Sequence, residues 1–338
     1  MNGDQFDQIP KVELHCHVEG TVRPTTVLEL AAKAGRPLPV EDPAELYRYD
    51  SLDSFLAIFW LVQETLVSRE DWARISYESL IDGAAHGLRY REMFFTPARH
   101  LATGQDLGAI VAGLSEGIEA AEAETSVHCM LIADIDRAFG PGAGLELVDQ
   151  VGELRRAGKA NRIIGIGADS TELGVDLRGF VTAFDLARRL GLRRTCHAGE
   201  AVGAGPENIR VAIDVLGAER IDHGVAIAED PALMRKVADA RIPLTVCPTS
   251  NVVIANRYSS LAEHPLLVMR EHGLLLTINT DDPAMENIDL GSEYRNVANA
   301  FGLDLEAMRV IAREGIESTW LDDSDRRALR AAFDAAVV

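Results

Sequence analysis

His128-Cys-Met-Leu-Ile-Ala-Asp-Ile135, Leu145-Glu-Leu-Val-Asp-Gln-Val-Gly-Glu-Leu-Arg-Arg-Ala157 and Ile163-Ile-Gly-Ile-Gly-Ala-Asp169 follow one another along the chain, and their reading decides the fold. The outer two are short, nearly continuous apolar runs, the pattern of parallel strands covered on both faces. The middle one repeats apolar residues at Leu147, Val151 and Leu154, one face of a helix. Working outward, similar strand-like runs lie at Val12–His17, Leu88–Pro97, Arg193–Glu200, Arg220–Gly224, Ile242–Ser250 and Leu274–Pro283. Helix-period stretches separate most of them: Thr25–Ala34, Asp106–Glu124, Leu177–Leu190, Glu207–Leu216, Pro231–Ala240 and Leu261–His272. Strand followed by helix through eight strands predicts an α/β fold, a (β/α)8 TIM barrel. A doubly wound sheet also alternates, but its opening G-x-G-x-x-G turn is missing. Without repeats or linkers, residues 1–338 read as a single barrel domain. It carries an inserted helical segment after the first strand, at 39–86, and extra C-terminal helices at 284–338. An insert that follows a barrel strand belongs over the mouth, so Phe55 and Phe59 are candidates to line a pocket there.

Composition narrows the partners. The 338 residues hold 53 acidic and 33 basic side chains, a formal charge of −20. Such acidity repels phosphate backbones and anionic lipid, which excludes nucleic acid and membrane as partners. No apolar run approaches the ~20 residues of a spanning helix. Met1–Pro10 lacks the apolar stretch of a secretory signal, so a cytoplasmic location is expected. The same acidity carries no information on whether subunits pair. Cys16, Cys129, Cys196 and Cys247 form no C-x-x-C pair and read as small buried hydrophobes.

The chemistry gathers where strands end. The first ends in His15-Cys16-His17, the fifth in His197-Ala-Gly-Glu200, the sixth in Asp222-His223 and the eighth in Thr280-Asp281-Asp282. In a barrel, these ends surround one mouth. Period-two alternation aims His15 and His17 at the same face, so both can grip one metal ion. His197 and Asp281 complete a shell of three nitrogens and one oxygen. That set suits one Zn²⁺ per subunit, and Fe²⁺, Mn²⁺ or Co²⁺ also fits. Glu200, in a closed mouth, would have a raised pKa and act as general acid. His223 would serve an activated water as base or orienting group. Asp282 should point away from its neighbour Asp281 and hydrogen-bond a substrate.

In this order, Pro10-Lys-Val-Glu-Leu-His-Cys-His-Val-Glu-Gly20, His197-Ala-Gly-Glu200, Arg220-Ile-Asp-His-Gly224, Val246-Cys-Pro-Thr-Ser-Asn251 and Thr277-Ile-Asn-Thr-Asp-Asp-Pro283 resemble the adenosine/adenine deaminase family of metal-dependent amidohydrolases. The resemblance implies zinc on His15, His17, His197 and Asp281. It implies that Glu200 protonates purine N1, that His223 takes the proton of the attacking water, and that Asp282 holds N7. A small-molecule 6-aminopurine and water would become a 6-oxopurine and ammonia. On substrate, the motifs divide. Glu19 stands where adenosine deaminases carry an aspartate that helps hold the ribose 5′-hydroxyl. Ser170 takes the place of a glycine whose backbone meets purine N3. Both resemble the adenine branch, whereas Gly205-Pro-Glu-Asn-Ile209 resembles the adenosine branch. Because Glu19 can still accept a hydroxyl, the first reading is a nucleoside such as adenosine. The alternatives are adenine, a modified adenosine such as aminodeoxyfutalosine, and, more distantly, a non-catalytic binding protein on the same barrel.

Overall fold

A computed structural model describes residues 4–49 and 52–336, so Met1–Gly3 of the N-terminal reading and Asp50-Ser51 of the insert lie outside the described residues. Eight strands pair in parallel, each with the next: β1 Lys11–Glu13, β2 Leu88–Phe95, β3 His128–Asp136, β4 Ile163–Asp169, β5 Arg193–Ala198, β6 Arg220–His223, β7 Leu244–Val246 and β8 Leu276–Ile278. Between them run helices such as Pro24–Ala34, Leu107–Glu124, Gly140–Arg156 and Pro231–Ala240. This is the expected (β/α)8 barrel. Burial on both faces accounts for the unbroken apolar reading of β3 and β4.

Three strands stop earlier than their apolar runs. β1 ends at Glu13, before the histidines, and β8 ends at Ile278, before the paired aspartates. After β7 the chain enters a helix at Pro248–Val253 where the run Ile242–Ser250 suggests continued strand. Proline at the first helical position favours that switch. The early ends of β1 and β8 leave a seam, which their extensions close. The His17 N–H donates to the Asp281 carbonyl at 2.9 Å, the Asp281 N–H to the His15 carbonyl at 3.2 Å, and the Leu14 N–H to Asn279 Oδ1 at 2.8 Å. Residues read as metal ligands therefore also complete the barrel. The C-terminal helix Leu305–Gly315 packs on β8 and β1 and covers this seam from outside.

Low in the barrel, at the start of β6, Arg220 is fully buried. Its guanidinium pairs with Glu92 at 2.5 Å and lies 3.9 Å from the centre of the Trp320 ring. Gly165 leaves the room that Trp320 occupies, since an added Cβ would come within 2.5 Å of that ring. The insert divides into two parts. Helix Arg69–Ala85 packs along helix Leu107–Glu124 on the barrel flank. Nearer the mouth, Tyr49 O–H donates to the Met285 carbonyl and Asn287 Nδ2 donates to the Tyr47 carbonyl, tying the insert to the loop after β8. All four cysteines are buried and free, and among the described residues no helix is long and apolar enough to cross a membrane.

Candidate active site

The barrel collects the predicted residues at one end. His15 Nε2 lies 3.1 Å from Asp281 Oδ1, His17 Nε2 3.4 Å from the same oxygen, and His17 Nε2 3.2 Å from His197 Nε2. Four donors at the corners of a tetrahedron with 2.0–2.1 Å bonds stand about 3.3 Å apart. The spacing therefore matches a cradle for one small cation. His15, His197, His223 and Asp281 also each offer a donor atom within 4.8 Å of the others. Beneath them, Phe94 stacks on His17 at 5.1 Å and meets His15 edge-on at 5.2 Å, a dry floor.

A carbonyl or a carboxylate stands behind each of the three imidazoles. His15 Nδ1 has the Thr245 carbonyl at 3.2 Å, His17 Nδ1 faces Asp134 at 3.8 Å, and His197 Nδ1 faces Asp222 at 3.6 Å. The contact on His15 Nδ1 leaves its Nε2 lone pair for the centre, whereas His17 Nδ1 and His197 Nδ1 make no hydrogen bond to the carboxylates they face. Asp222 is itself held by the Thr195 and Thr245 hydroxyls at 2.7 and 2.8 Å. Asp281 gives its second oxygen to Ser250 Oγ at 2.6 Å, which turns Oδ1 inward. Electrostatics agree with this geometry. Burial pulls His17 down to about 4 and holds His197 well below its ordinary value, so both are neutral donors. Burial opposes the charge on Asp281, but His15 outweighs it and keeps this carboxylate ionised.

The turn after β5 carries the expected acid. Glu200 keeps a fifth of its side chain exposed, and its Oε2 lies 3.6 Å from His223 Nε2. Burial, then the negative charge of Asp281, pushes it up to about 8, so it is protonated at neutrality. Asp282 is buried, its Oδ1 without a partner, and burial followed by Asp281 raises it well above the usual carboxylate range. Gly20 makes room for it: a Cβ there would sit 1.8 Å from Asp282 Oδ1. Ser170, His223 and Asp281 close β4, β6 and β8 in the left-handed region, with φ of 69°, 57° and 62°. Such conformations cost about 1–3 kcal/mol each, a concentration of strain expected where side chains must be aimed.

Other candidates fall differently. Glu19 is sealed from solvent, with Oε1 accepting the Thr96 N–H at 2.9 Å and Oε2 buried without a partner. Phe55 packs edge-on against Tyr49 at 5.3 Å and lies 5.8 Å from Phe59. This aromatic row runs within the insert to Tyr49, whose hydroxyl reaches the loop after β8. Ser170 is exposed, and its carbonyl accepts from Arg137 Nη2 at 2.5 Å.

Sequence reasoning missed two organisers. Arg137, buried after β3, donates to the carbonyls of Asp169, Ser170 and His197, strapping the ends of β4 and β5 together. Glu172 accepts the N–H groups of Gly199, Glu200 and Ala201 and the side chain of Asn208, which fixes the turn bearing the acid. Neither lies next to a ligating residue in the chain, so spacing could not reveal them.

The adenosine deaminase family matches residues 10–336. An adenine deaminase of Streptomyces coelicolor is 37% identical, over 99% of this chain and 96% of its own. An adenosine deaminase of Erwinia tasmaniensis is 36% identical, over 97% and 99%. Among solved structures, a zinc-bound amidohydrolase from Burkholderia ambifaria matches with a TM-score of 0.90 and 31% identity, covering 98% of this chain and 91% of that one.

Proposed function

The chain belongs to the adenosine deaminase family and is a hydrolytic purine deaminase, and we propose that it removes the 6-amino group of free adenine using one zinc ion on His15, His17, His197 and Asp281. The donor set supports zinc: three imidazoles and a carboxylate, with His15 Nε2 3.1 Å and His17 Nε2 3.4 Å from Asp281 Oδ1 and His17 Nε2 3.2 Å from His197 Nε2. His15 Nε2 is buried without a hydrogen-bond partner, as a ligating atom would be. The structure of the Burkholderia relative contains zinc. Bound there, the ion would supply Lewis acidity that lowers the pKa of a coordinated water.

The remaining work falls to side chains. Glu200, protonated at neutrality, delivers its proton to N1 and so makes C6 electrophilic. His223 Nε2, 3.6 Å from Glu200 and 3.7 Å from Asp281, contacts the attacking water. Asp282, whose buried position favours the protonated form, donates to the acceptor N7 and orients the ring. Ser170, its backbone fixed by Arg137, and the Phe55–Phe59 row are the further purine contacts in this reading.

The observation that carries adenine over its nucleosides is the sealed carboxyl of Glu19. A ribose-holding group should be open to the sugar, but Glu19 has no exposed surface and burial pushes it up to about 7. Asp169 and Asp134 lie beside it, with Asp169 Oδ2 held by Thr96 Oγ1 at 2.5 Å, and each keeps an unpartnered buried oxygen. Free adenine carries an imidazole N–H that a nucleoside lacks, and the unpartnered carboxyl oxygens here can accept it, since even a protonated carboxyl keeps acceptor capacity. The Streptomyces relative is named an adenine deaminase, which agrees. The nucleoside reading keeps one point in its favour, since the unpartnered Glu19 Oε2 could take a hydroxyl. A cytoplasmic site of action belongs to the same proposal. Ultraviolet assays of the zinc-loaded protein with adenine, adenosine and aminodeoxyfutalosine in parallel test it. Conversion of adenine is expected, and conversion of adenosine alone overturns it.

A further inference from the structure

His223 is joined to a buried hydrogen-bond chain that starts at a backbone amide. The Leu266 N–H donates to His264 Nδ1 at 3.2 Å. His264 is buried, and burial pulls it down to about 4, so it is neutral. A neutral imidazole accepting on Nδ1 carries its hydrogen on Nε2. His264 Nε2 faces Asn251 Oδ1 at 3.2 Å and donates to it. That contact fixes the amide: its Oδ1 accepts, so its Nδ2 is the atom that faces His223 Nδ1, at 3.1 Å, and donates. Asn251 is itself fully buried, and its backbone amide is tied to the Cys247 carbonyl, so the side chain starts from a fixed base.

We propose that Asn251, anchored through His264 to the Leu266 amide, is a positioning residue that holds neutral His223 in the tautomer with its hydrogen on Nε2. Every link except the first is a side-chain contact whose polarity could run either way. The backbone N–H cannot reverse, and it sets all the others. Nε2, facing Glu200 and Asp281, then presents a hydrogen to the site and not a lone pair. His223 orients the attacking water by donating to its oxygen, and in this tautomer cannot receive a proton from it. The water's proton instead passes to the Glu200 carboxylate, formed when its own proton goes to N1; that proton then goes to the departing amine, and the C6 hydroxyl proton restores Glu200 as ammonia leaves. This deepens the deaminase reading and rests on it for the identity of the attacking water. The tautomer itself does not depend on that reading.

The test is nitrogen-15 NMR of the zinc-loaded, histidine-labelled protein, with His223→Gln used to assign the His223 signals. The expected spectrum has a protonated Nε2 and an unprotonated Nδ1. A protonated Nδ1 overturns the proposal, whatever the activity. Asn251→Asp supplies the second arm, because a carboxylate accepts from both histidines and should turn His223 over to Nδ1–H. In that variant turnover should fall about 10²-fold, the scale of losing one aligned hydrogen-bond donor, while KM and zinc content stay near wild type. A flipped tautomer with undiminished turnover would refute the link between tautomer and rate. Should the variant fail to fold, the wild-type spectrum still decides. Lack of deaminase activity in the wild type would count against the function and leave the spectrum to judge the tautomer.

Discussion

Replacing Glu172 with glutamine isolates what it takes to hold the acid in place. In the folded protein, Oε1 accepts the Gly199 N–H at 2.5 Å and Asn208 Nδ2 at 2.8 Å, while Oε2 accepts the N–H groups of Glu200 at 3.0 Å and Ala201 at 3.2 Å. Glutamine keeps one carbonyl oxygen and two of these bonds. Its amide turns two hydrogens toward two further donors, so two bonds to a charged acceptor are lost. At about 1.5–3 kcal/mol each, the loss is about 3–6 kcal/mol, a large part of the 5–15 kcal/mol that is usual for a folded domain. The turn should loosen before the barrel does, because Arg137 holds the His197 carbonyl independently at 2.8 Å. Glu172→Gln should therefore retain one equivalent of zinc, lose several kcal/mol in urea titration, and lose about 10²-fold in kcat. That factor is the scale of an ångström's misplacement of a reacting group. Metal analysis, denaturant unfolding and the ultraviolet assay read the three quantities separately. Wild-type kcat with a wild-type midpoint would show that the turn does not depend on Glu172.

Three further outcomes follow from the same geometry. Glu200→Gln should keep its zinc and lose about 10²–10⁴-fold in kcat, the range for a general acid. Because the active form is the protonated one and its pKa is raised to about 8, wild-type kcat/KM should hold through neutrality and fall as pH rises through that value; a basic limb unchanged in the variant would assign it to another group. His197→Ala should abolish tight zinc binding along with turnover, measured by equilibrium dialysis, and one bound equivalent would move the ion elsewhere. Gly20→Ala places a Cβ 1.8 Å from Asp282 Oδ1 and should displace that carboxyl; KM should rise while zinc stays bound, and an unchanged KM would remove Asp282 from the substrate contacts.

Much of this site was legible in the chain itself, and for a definite reason. Barrel topology brings the C-terminal ends of all eight strands to one mouth, so recognising the strands already places His15, His17, His197, His223 and Asp281 together. The deaminase chemistry came from the resemblance of those motifs to the adenosine/adenine deaminase family. Period-two spacing gave the right company for His15 and His17, although both lie beyond the last paired residue of β1, in the extension that closes the barrel against Asp281. His264 shows where local reading runs out. No strand-end group neighbours it in the sequence, and the fold places it behind Asn251, in line with His223.

The sequence by itself determined the alternation of strand and helix and the residue types that stand at the strand ends, since each depends on local period or on residue identity. Tertiary structure alone decided which hydrogens those residues carry and where they point. Arg137, Glu172 and Asn251 act across 32 to 60, 27 to 36, and 28 residues of chain respectively. Tertiary structure also buried Glu19 and set its carboxyl on the Thr96 amide, 77 residues away. Burial and hydrogen-bond direction are properties of the assembled barrel, because they depend on which distant atoms exclude water from each group and supply its partners.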